Sequence, residues 1–204
     1  MKLERFEQSG FIIESDKGFR IGLDIGSMTP IEKLEGVKVD AMIASHIHRD
    51  HFCLDQIKKL VPKKLYINSE CIETLGEEVL MSEIVTTETD SQIEIGDIKV
   101  QIFSVDHGPN VSLKENFGFL FTVDNQKIYF PGDIFYPSGM DVTELEVDYA
   151  MLPIGTFYTF GPEEAFAFAK TFKKIGKLIS MHDRNTPGLK EKFLELAKND
   201  FIAE

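Results

Sequence analysis

The chain has little cysteine, no excess of positive charge and no long apolar run, and each absence argues against some classes of function. Its 204 residues include two cysteines, which form no CxxC motif, so ordinary thiols in a reducing compartment are expected. The formal charge of −12 predicts an acidic surface, which repels nucleic acid and anionic membranes unless a local basic patch intervenes. No Gly-x-Ser-x-Gly motif signals a serine nucleophile.

The sequence shows no run of apolar residues as long as a membrane span, and its charged N-terminus leads straight into a strand pattern. We therefore expect a cytoplasmic protein that acts on a small molecule, with neither a membrane nor a nucleic acid as partner. A chain of 204 residues with a hydrophobic content of 43% can bury a substantial core, which predicts a single domain over residues 1–204. We expect this domain to consist of two similar halves, of about 1–105 and 106–204. Nothing in the sequence indicates the oligomeric state.

The hydrophobic pattern predicts an α/β protein. Period-two patterns and short apolar runs predict strands at 2–8, 11–15, 19–25, 39–45, 64–67, 83–86, 91–95, 97–105, 117–123, 127–131, 149–153 and 177–181. Helical spacing predicts helices from 54 to the proline at 62, at 69–76, from 162 to about 176, and from about 187 to 198. Strands that cluster first and then alternate with helices, in two similar halves, indicate mixed sheets.

One short segment, residues 45–52, contains three of the five histidines of the chain. In an extended segment residues i and i+2 point the same way, so His46 and His48 can bind one ion together. Asp50 and His51 follow where the chain turns into a helix, and they are directed towards a neighbouring position. Imidazole and carboxylate are preferred ligands of zinc, iron and manganese. The segment therefore predicts a metal site.

Three further residues lie near predicted strand ends far downstream. His107 and His182 are the remaining histidines, and Asp133 follows a Pro-Gly pair. Taken singly, each histidine could be structural and the aspartate an ordinary turn residue. Their order after the histidine-rich segment makes them candidate ligands.

The chain resembles the metallo-β-lactamase fold superfamily over nearly its full length. The family pattern has an Asp after an early strand, a His-x-His-x-Asp-His loop, a lone His, a lone Asp and a last His. These residues stand here, in that order, as Asp24, His46, His48, Asp50, His51, His107, Asp133 and His182.

The resemblance implies a fold and a set of ligands. The fold is an αβ/βα four-layer sandwich, in which two mixed β-sheets lie face to face with helices on the outer faces. Asp24 is expected to orient the metal loop from behind the ligands. The implied ligands are His46, His48 and His107 for one ion, and Asp50, His51 and His182 for a second, with Asp133 bridging both.

Such a site predicts a hydrolase with two divalent metal ions, zinc first, with manganese or iron as alternatives. Two divalent ions with only two charged ligands keep a net positive charge, which lowers the pKa of bound water towards about 7. The resulting hydroxide could attack a small ester, lactone or phosphoester. Asp50 is expected to be catalytic as well as a ligand, because it can hold that hydroxide in line.

The segment from Leu152 to Gly161 is similar to one branch of the superfamily, the small metal-dependent hydrolases that resemble ascorbate-6-phosphate lactonase. The chain departs from this branch after its last strand, where Met-His-Asp-Arg replaces the usual Pro-Met-His-Tyr. The residues that could line a substrate pocket are Thr156, Tyr158, Thr159 and Arg184. Helix-capping hydroxyl groups and a surface arginine explain these residues equally well.

The same ligands also serve other chemistries. A phosphodiesterase or nuclease of this fold is one alternative, disfavoured by the acidic charge. An iron-dependent oxidoreductase, such as a persulfide dioxygenase, is another, because it uses the same motif. The ligand motif alone does not separate these reactions.

Overall fold

A computed structural model describes residues 1–78, 80–184 and 186–204 and contains two six-stranded sheets. The strands of the first sheet are β1 (Lys2–Arg5), β2 (Phe11–Glu14), β3 (Arg20–Leu23), β4 (Ala41–Ile43), β5 (Lys64–Ile67) and β6 (Glu83–Thr86). The strands of the second are β7 (Ser91–Ile95), β8 (Ile98–Ser104), β9 (Phe117–Val123), β10 (Gln126–Phe130), β11 (Glu146–Pro153) and β12 (Lys174–Met181).

Both sheets are mixed, and in both the strands are arranged in chain order. In the first, β1, β2 and β3 are antiparallel neighbours, and β3 to β6 run parallel. In the second, β7 to β10 are antiparallel neighbours, and β10, β11 and β12 run parallel. Because β8 and β10 are both antiparallel to β9, the carboxyl ends of β8, β10, β11 and β12 lie at one edge of their sheet.

The sheets pack face to face, with helices on their outer faces. The helices are α1 (Leu54–Leu60), α2 (Ser69–Leu75), α3 (Pro162–Ala169) and α4 (Leu189–Ala197), with a 3₁₀ turn at Ile31–Leu34. One buried cluster joins the inner faces, for example Phe11 of β2 with Phe130 of β10. A second packs β4 and β5 against α1 and α2, and a third packs β10 to β12 against α3 and α4. These clusters confirm the predicted layers.

The first strand is shorter than predicted, because residues 7–10 form a turn. The Phe6 amide donates to the Gly10 carbonyl at 2.8 Å, and the Gly10 amide donates to the Glu7 carbonyl at 3.1 Å. Gln8 has a left-handed backbone, with a φ of 63°. The predicted range 2–8 is therefore wrong in its last three residues.

The structure also moves two other predicted boundaries. The chain passes between the sheets after β6, so residues 91–105, which we assigned to the first half, belong to the second sheet. Helix α3 ends at Ala169 rather than near 176, and β12 begins at Lys174. Gly176 belongs to β12, where an added Cβ would lie 2.7 Å from the Asp148 carbonyl of β11.

Among the residues that the structure describes, no helix has the length and apolar character that a membrane crossing requires. The expectation of a single domain stays a prediction.

Candidate metal centre

All seven predicted ligands lie at one rim of the sandwich, in loops that follow strand ends. The histidine-rich loop follows β4, and its donors are joined by side chains that follow β8, β10 and β12. Parallel strands bring their carboxyl ends to one edge, so residues far apart in sequence meet there. They form two groups, each with donor atoms within 4.8 Å of one another, namely His46, His48, His107 and Asp133, and Asp50, His51 and His182.

The first group consists of imidazoles that face one another around a carboxylate. His46 Nε2 and His48 Nδ1 are 3.0 Å apart. His107 Nε2 lies 3.3 Å from Asp133 Oδ2. His46, His107 and Asp133 are buried, whereas His48 is partly open to solvent.

The second group has the same character. His51 Nε2 and His182 Nε2 are 3.0 Å apart. Asp50 Oδ2 lies 3.5 Å from His182 Nε2 and 3.7 Å from His51 Nε2. The side chain of Asp50 is 26% exposed and lines the cavity that opens to solvent.

Asp133 stands between the two groups, with one oxygen towards each. Its Oδ1 lies 2.9 Å from His182 Nε2 and 3.3 Å from His51 Nε2. Its Oδ2 lies 3.3 Å from His107 Nε2 and 4.0 Å from His46 Nε2. A carboxylate placed in this way has the position of a bridging ligand.

Asp24 fixes the orientation of two histidines from behind. Its Oδ2 lies 2.6 Å from His51 Nδ1 and accepts the hydroxyl of Ser45 at 2.5 Å. Because the Ser45 hydroxyl proton is committed to Asp24, its oxygen can accept from His46 Nδ1 at 2.9 Å. Protons on both Nδ1 atoms leave both Nε2 lone pairs directed into the site. The structure thus places Asp24 where an orienting residue was predicted.

Gln8 contacts His182 from behind in the same way, but with a donor nitrogen rather than an acceptor oxygen. Its Nε2 lies 2.8 Å from His182 Nδ1 and 3.4 Å from Asp50 Oδ2. The backbone amide of His182 also donates to the Gln8 carbonyl at 3.2 Å. Gln8 and His182 both have a left-handed backbone, with φ of 63° and 62°, at the point where their two loops meet.

The surroundings of the site favour the neutral form of His46 and the protonated form of His51. Burial, and then the charge of His51, holds the pKa of His46 well below its usual value. Burial also tends to lower the pKa of His51, but Asp133, Asp50 and Asp24 raise it well above normal. Burial tends to raise the pKa of Asp133, but His182 and His51 hold it well below normal. The carboxylates therefore attract positive charge.

The chemistry of the donors fits divalent metal ions. Among the described residues, Nδ1 of buried His107 has no hydrogen-bond partner, and its Nε2 faces the Asp133 carboxylate at 3.3 Å. Such unpaired buried groups are rare unless an ion or water satisfies them. Two imidazole nitrogens that face each other at 3.0 Å are likewise suited to one shared cation. Five imidazoles and two carboxylates match the ligand preferences of zinc and iron.

A cavity of about 640 Å³ opens above the two groups and contains three of the four predicted substrate residues. Thr156 and Tyr158 are exposed on its wall, and Thr159 is buried. The Thr159 hydroxyl accepts the Gly155 amide and donates to the Phe160 carbonyl, each at 3.1 Å, so it holds the loop. Arg184 is not among the lining residues that the structure describes, and its guanidinium contacts the Met28 carbonyl.

The comparisons with known proteins identify the family. Residues 2–175 match the model of the Beta-lactamase superfamily domain. The chain belongs to this family. The match contains six of the seven predicted ligands and ends before His182.

Relatives of this β-lactamase superfamily domain carry names that describe metal-dependent enzymes. A UPF0173 metal-dependent hydrolase of Listeria welshimeri is 33% identical over 165 residues, covering 76% of this chain and 72% of the relative. A UPF0173 metal-dependent hydrolase of Korarchaeum cryptofilum is 28% identical over 197 residues, covering 94% of this chain and 86% of the relative. Igni18, a metallo hydrolase of Ignicoccus hospitalis, superposes with a TM-score of 0.80 at 19% identity, covering 99% and 93%, and shows the same fold.

The sequence analysis did not identify two residues whose side chains contact candidate ligands from behind, Ser45 and Gln8. Ser45 directly precedes the first histidine, and this adjacency was an available signal. Gln8 lies in a turn, and its contact with His182 spans 174 positions, so no local pattern could reveal it. The role of the seven candidates as metal ligands stays a prediction.

Proposed function

We propose that this β-lactamase superfamily domain is a hydrolase with a dinuclear metal centre. In this proposal the first group of donors holds one ion, the second group holds another, and the enzyme cleaves a small ester, lactone or phosphoester. The observation that carries the proposal is the position of Asp133, whose two oxygens each face one group at 2.9 to 3.3 Å. The family and the names of its relatives agree with metal-dependent hydrolysis.

Two divalent ions, when bound, would acidify a water molecule and polarise the bond to be cleaved. The chain's own residues account for the remaining requirements. Five histidines are neutral ligands, and Asp50 and Asp133 are the charged ones, so the centre keeps a net positive charge. Asp50 is the more exposed of these carboxylates and faces the cavity, where it can hold a nucleophilic water and accept its proton.

We infer zinc as the first candidate metal, with manganese or iron as alternatives, because a site rich in imidazole accepts all three. The substrate is inferred to be small, because the cavity above the donors holds about 640 Å³. The acidic chain disfavours nucleic acid as a substrate. Both cysteines are buried and unpaired, which agrees with a reducing compartment such as the cytoplasm.

A substrate panel tests this proposal. The protein is stripped of metal, reconstituted with zinc, manganese or iron, and assayed on chromogenic esters, lactones, phosphomonoesters and phosphodiesters. Hydrolysis of one class should depend on metal, and Asp50→Asn should lower kcat by about 100- to 10,000-fold. Metal content is measured alongside, to separate a lost ligand from a lost proton acceptor.

The matched control is Asp55→Asn, an exposed aspartate on α1, which should leave the rate unchanged. Metal-loaded protein that hydrolyses no class of substrate would contradict the proposal. Oxygen consumption by the iron form, without hydrolysis, would instead indicate an oxidoreductase.

A further inference from the structure

A second, larger groove lies beside the candidate metal centre. It has a volume of about 1180 Å³ and runs between the loop after β10 and helix α3. Its wall is largely aromatic and aliphatic, with Phe135, Tyr136, Met140, Phe157, Phe160 and Phe168 among the lining residues. Predominantly apolar concave surfaces are typical of small-molecule sites.

The groove is continuous with the cavity above the candidate metal centre. Four residues line both spaces, namely Asn110, Thr156, Phe157 and Thr159. The Asn110 side chain donates from Nδ2 to the Phe157 carbonyl at 2.9 Å, which joins the loop after β8 to the loop after β11. A molecule bound at the metal centre can therefore extend into the groove past this shared wall.

The shared wall is held in one conformation. Thr156 has a φ of 73°, an uncommon left-handed backbone for a β-branched residue. Its amide donates to the Phe160 carbonyl at 3.0 Å, and its carbonyl accepts the Thr159 amide at 3.0 Å. Backbone strain that the surroundings maintain in this way is concentrated at functional sites.

The aromatic side chains at the mouth of the groove are exposed, and the charged residues of its lining are mostly acidic, namely Asp141, Glu163 and Glu164. Phe157 is 63% exposed and Tyr136 is 50% exposed. Clustered exposed aromatic side chains mark a binding surface. Within the lining that the structure describes, Lys192 is the one cationic residue, and it is ion-paired with Glu163. The groove therefore suits a neutral apolar group better than a phosphate or carboxylate.

We propose that this groove binds the apolar chain of the substrate, and that the substrate is a carboxylic ester or lactone with a medium-length acyl chain. This inference rests on the proposed function, because it places the bond to be cleaved at the metal centre. The four shared residues form the passage between the reacting group and its chain. The exposed aromatic residues cover the chain when it is bound.

A series of p-nitrophenyl esters tests the inference, with kcat/KM measured for the acetate, butyrate and octanoate. Each methylene that enters the groove should raise kcat/KM by up to about fourfold. We therefore expect the octanoate to exceed the acetate by at least about tenfold. Equal values for acetate and octanoate would overturn the inference.

Ala167 offers a variant that narrows the groove without disturbing the core, because it lines the groove from α3 and is exposed. Ala167→Phe should lower the ratio of kcat/KM for the octanoate to kcat/KM for the acetate to near one. Ala167→Ser is the matched control and should keep the preference. Loss of acetate and octanoate hydrolysis in equal proportion would contradict the proposed role of the groove.

Calorimetry with octanamide on metal-free protein gives a readout that does not depend on catalysis. Octanamide binding to the wild type that is weakened in Ala167→Phe supports the groove as a site for an apolar chain. If the same protein hydrolyses no class of substrate, the proposed function and the ester assignment are rejected while the groove stands. Absence of octanamide binding would overturn the inference. So would a dimer, seen by analytical ultracentrifugation, that excludes octanamide, because the groove would then be an interface between copies.

Discussion

At the scale of single residues, hydrogen bonds behind the ligands decide which imidazole nitrogen faces the site. Asp24 and Ser45 do this for His46 and His51. For His182, the carboxamide of Gln8 lies 2.8 Å from Nδ1. The nearer carboxamide atom in the structure is the donor Nε2. Binding of a metal through His182 Nε2 needs the proton on Nδ1, so in the metal-bound form the carboxamide has to present its oxygen there instead. The oxygen and nitrogen of such an amide exchange places by a simple flip.

Gln8→Leu tests this orienting role. The variant removes the carboxamide oxygen that the flipped side chain would offer to the Nδ1 proton, so we expect the metal affinity of the group containing His182 to fall by about 10- to 100-fold. Gln8→Glu keeps an acceptor and should restore most of the affinity. The measurement is competition for metal with a chromophoric chelator, which distinguishes a site of higher affinity from a site of lower affinity.

Gln56 provides the matched control, because it is also a buried glutamine. In the part of the chain that the structure describes, its side chain makes one hydrogen bond, from Nε2 to the Thr29 carbonyl at 3.0 Å. Gln56→Leu should leave metal affinity unchanged. Equal affinity in Gln8→Leu and the wild type would show that Gln8 does not orient His182.

At the scale of elements, the site is built from loops that begin where strands end. Local spacing was enough to predict the loop after β4, because His46, His48 and His51 lie within six residues. Asp133 and His182 carried little signal by themselves and were predicted only in combination with that loop. The contact of Gln8 could not be predicted, because it depends on a turn and a partner far along the chain.

The element boundaries that were wrong have physical causes. Lysines near 173 and a glycine at 176 resemble a helix end, but pairing with β11 extends β12 back to Lys174. The strand pattern of the first residues continues through Gln8, although the turn at Gly10 stops it at Arg5. Tertiary pairing and turn geometry therefore overrode the local pattern in both places.

The loop after β3 contacts the histidine-rich loop so closely that only glycine fits at Gly26. An added Cβ would overlap the backbone of Asp50 and His51. Gly26→Ala should therefore displace this loop, lower the free energy of unfolding by about 1–3 kcal/mol and reduce metal binding. Urea unfolding and metal titration measure the two effects.

Gly161→Ala is the control for the Gly26→Ala variant. Gly161 lies at the N-terminus of α3. Its Cβ would lie 2.8 Å from the carboxylate end of Glu164, a flexible group that can move away. This variant should keep full metal binding. If Gly26→Ala binds metal as the wild type does, then the close packing of the two loops does not position the ligands.

At the scale of the whole molecule, the candidate metal centre joins the two sheets. Donors from the loop after β4 belong to the first sheet, and donors after β8, β10 and β12 belong to the second. Bound ions would therefore link the two halves of the sandwich at one rim. The predicted α/β class and its layers are confirmed. They could be predicted because the spacing of apolar residues in strands and helices indicates which faces are buried. The sheet to which β7 and β8 belong was not recorded in any local pattern.

Metal content per chain is the most direct test of the account. Elemental analysis after gentle purification, and after reconstitution with zinc, manganese or iron, should find about two ions per chain in the wild type. His48→Ala should lose most of this metal, because it removes a donor 3.0 Å from His46, and Asp55→Asn should keep it. Wild-type protein that retains none of these metals, and binds none on reconstitution, would contradict the central claim that the seven side chains form a metal centre.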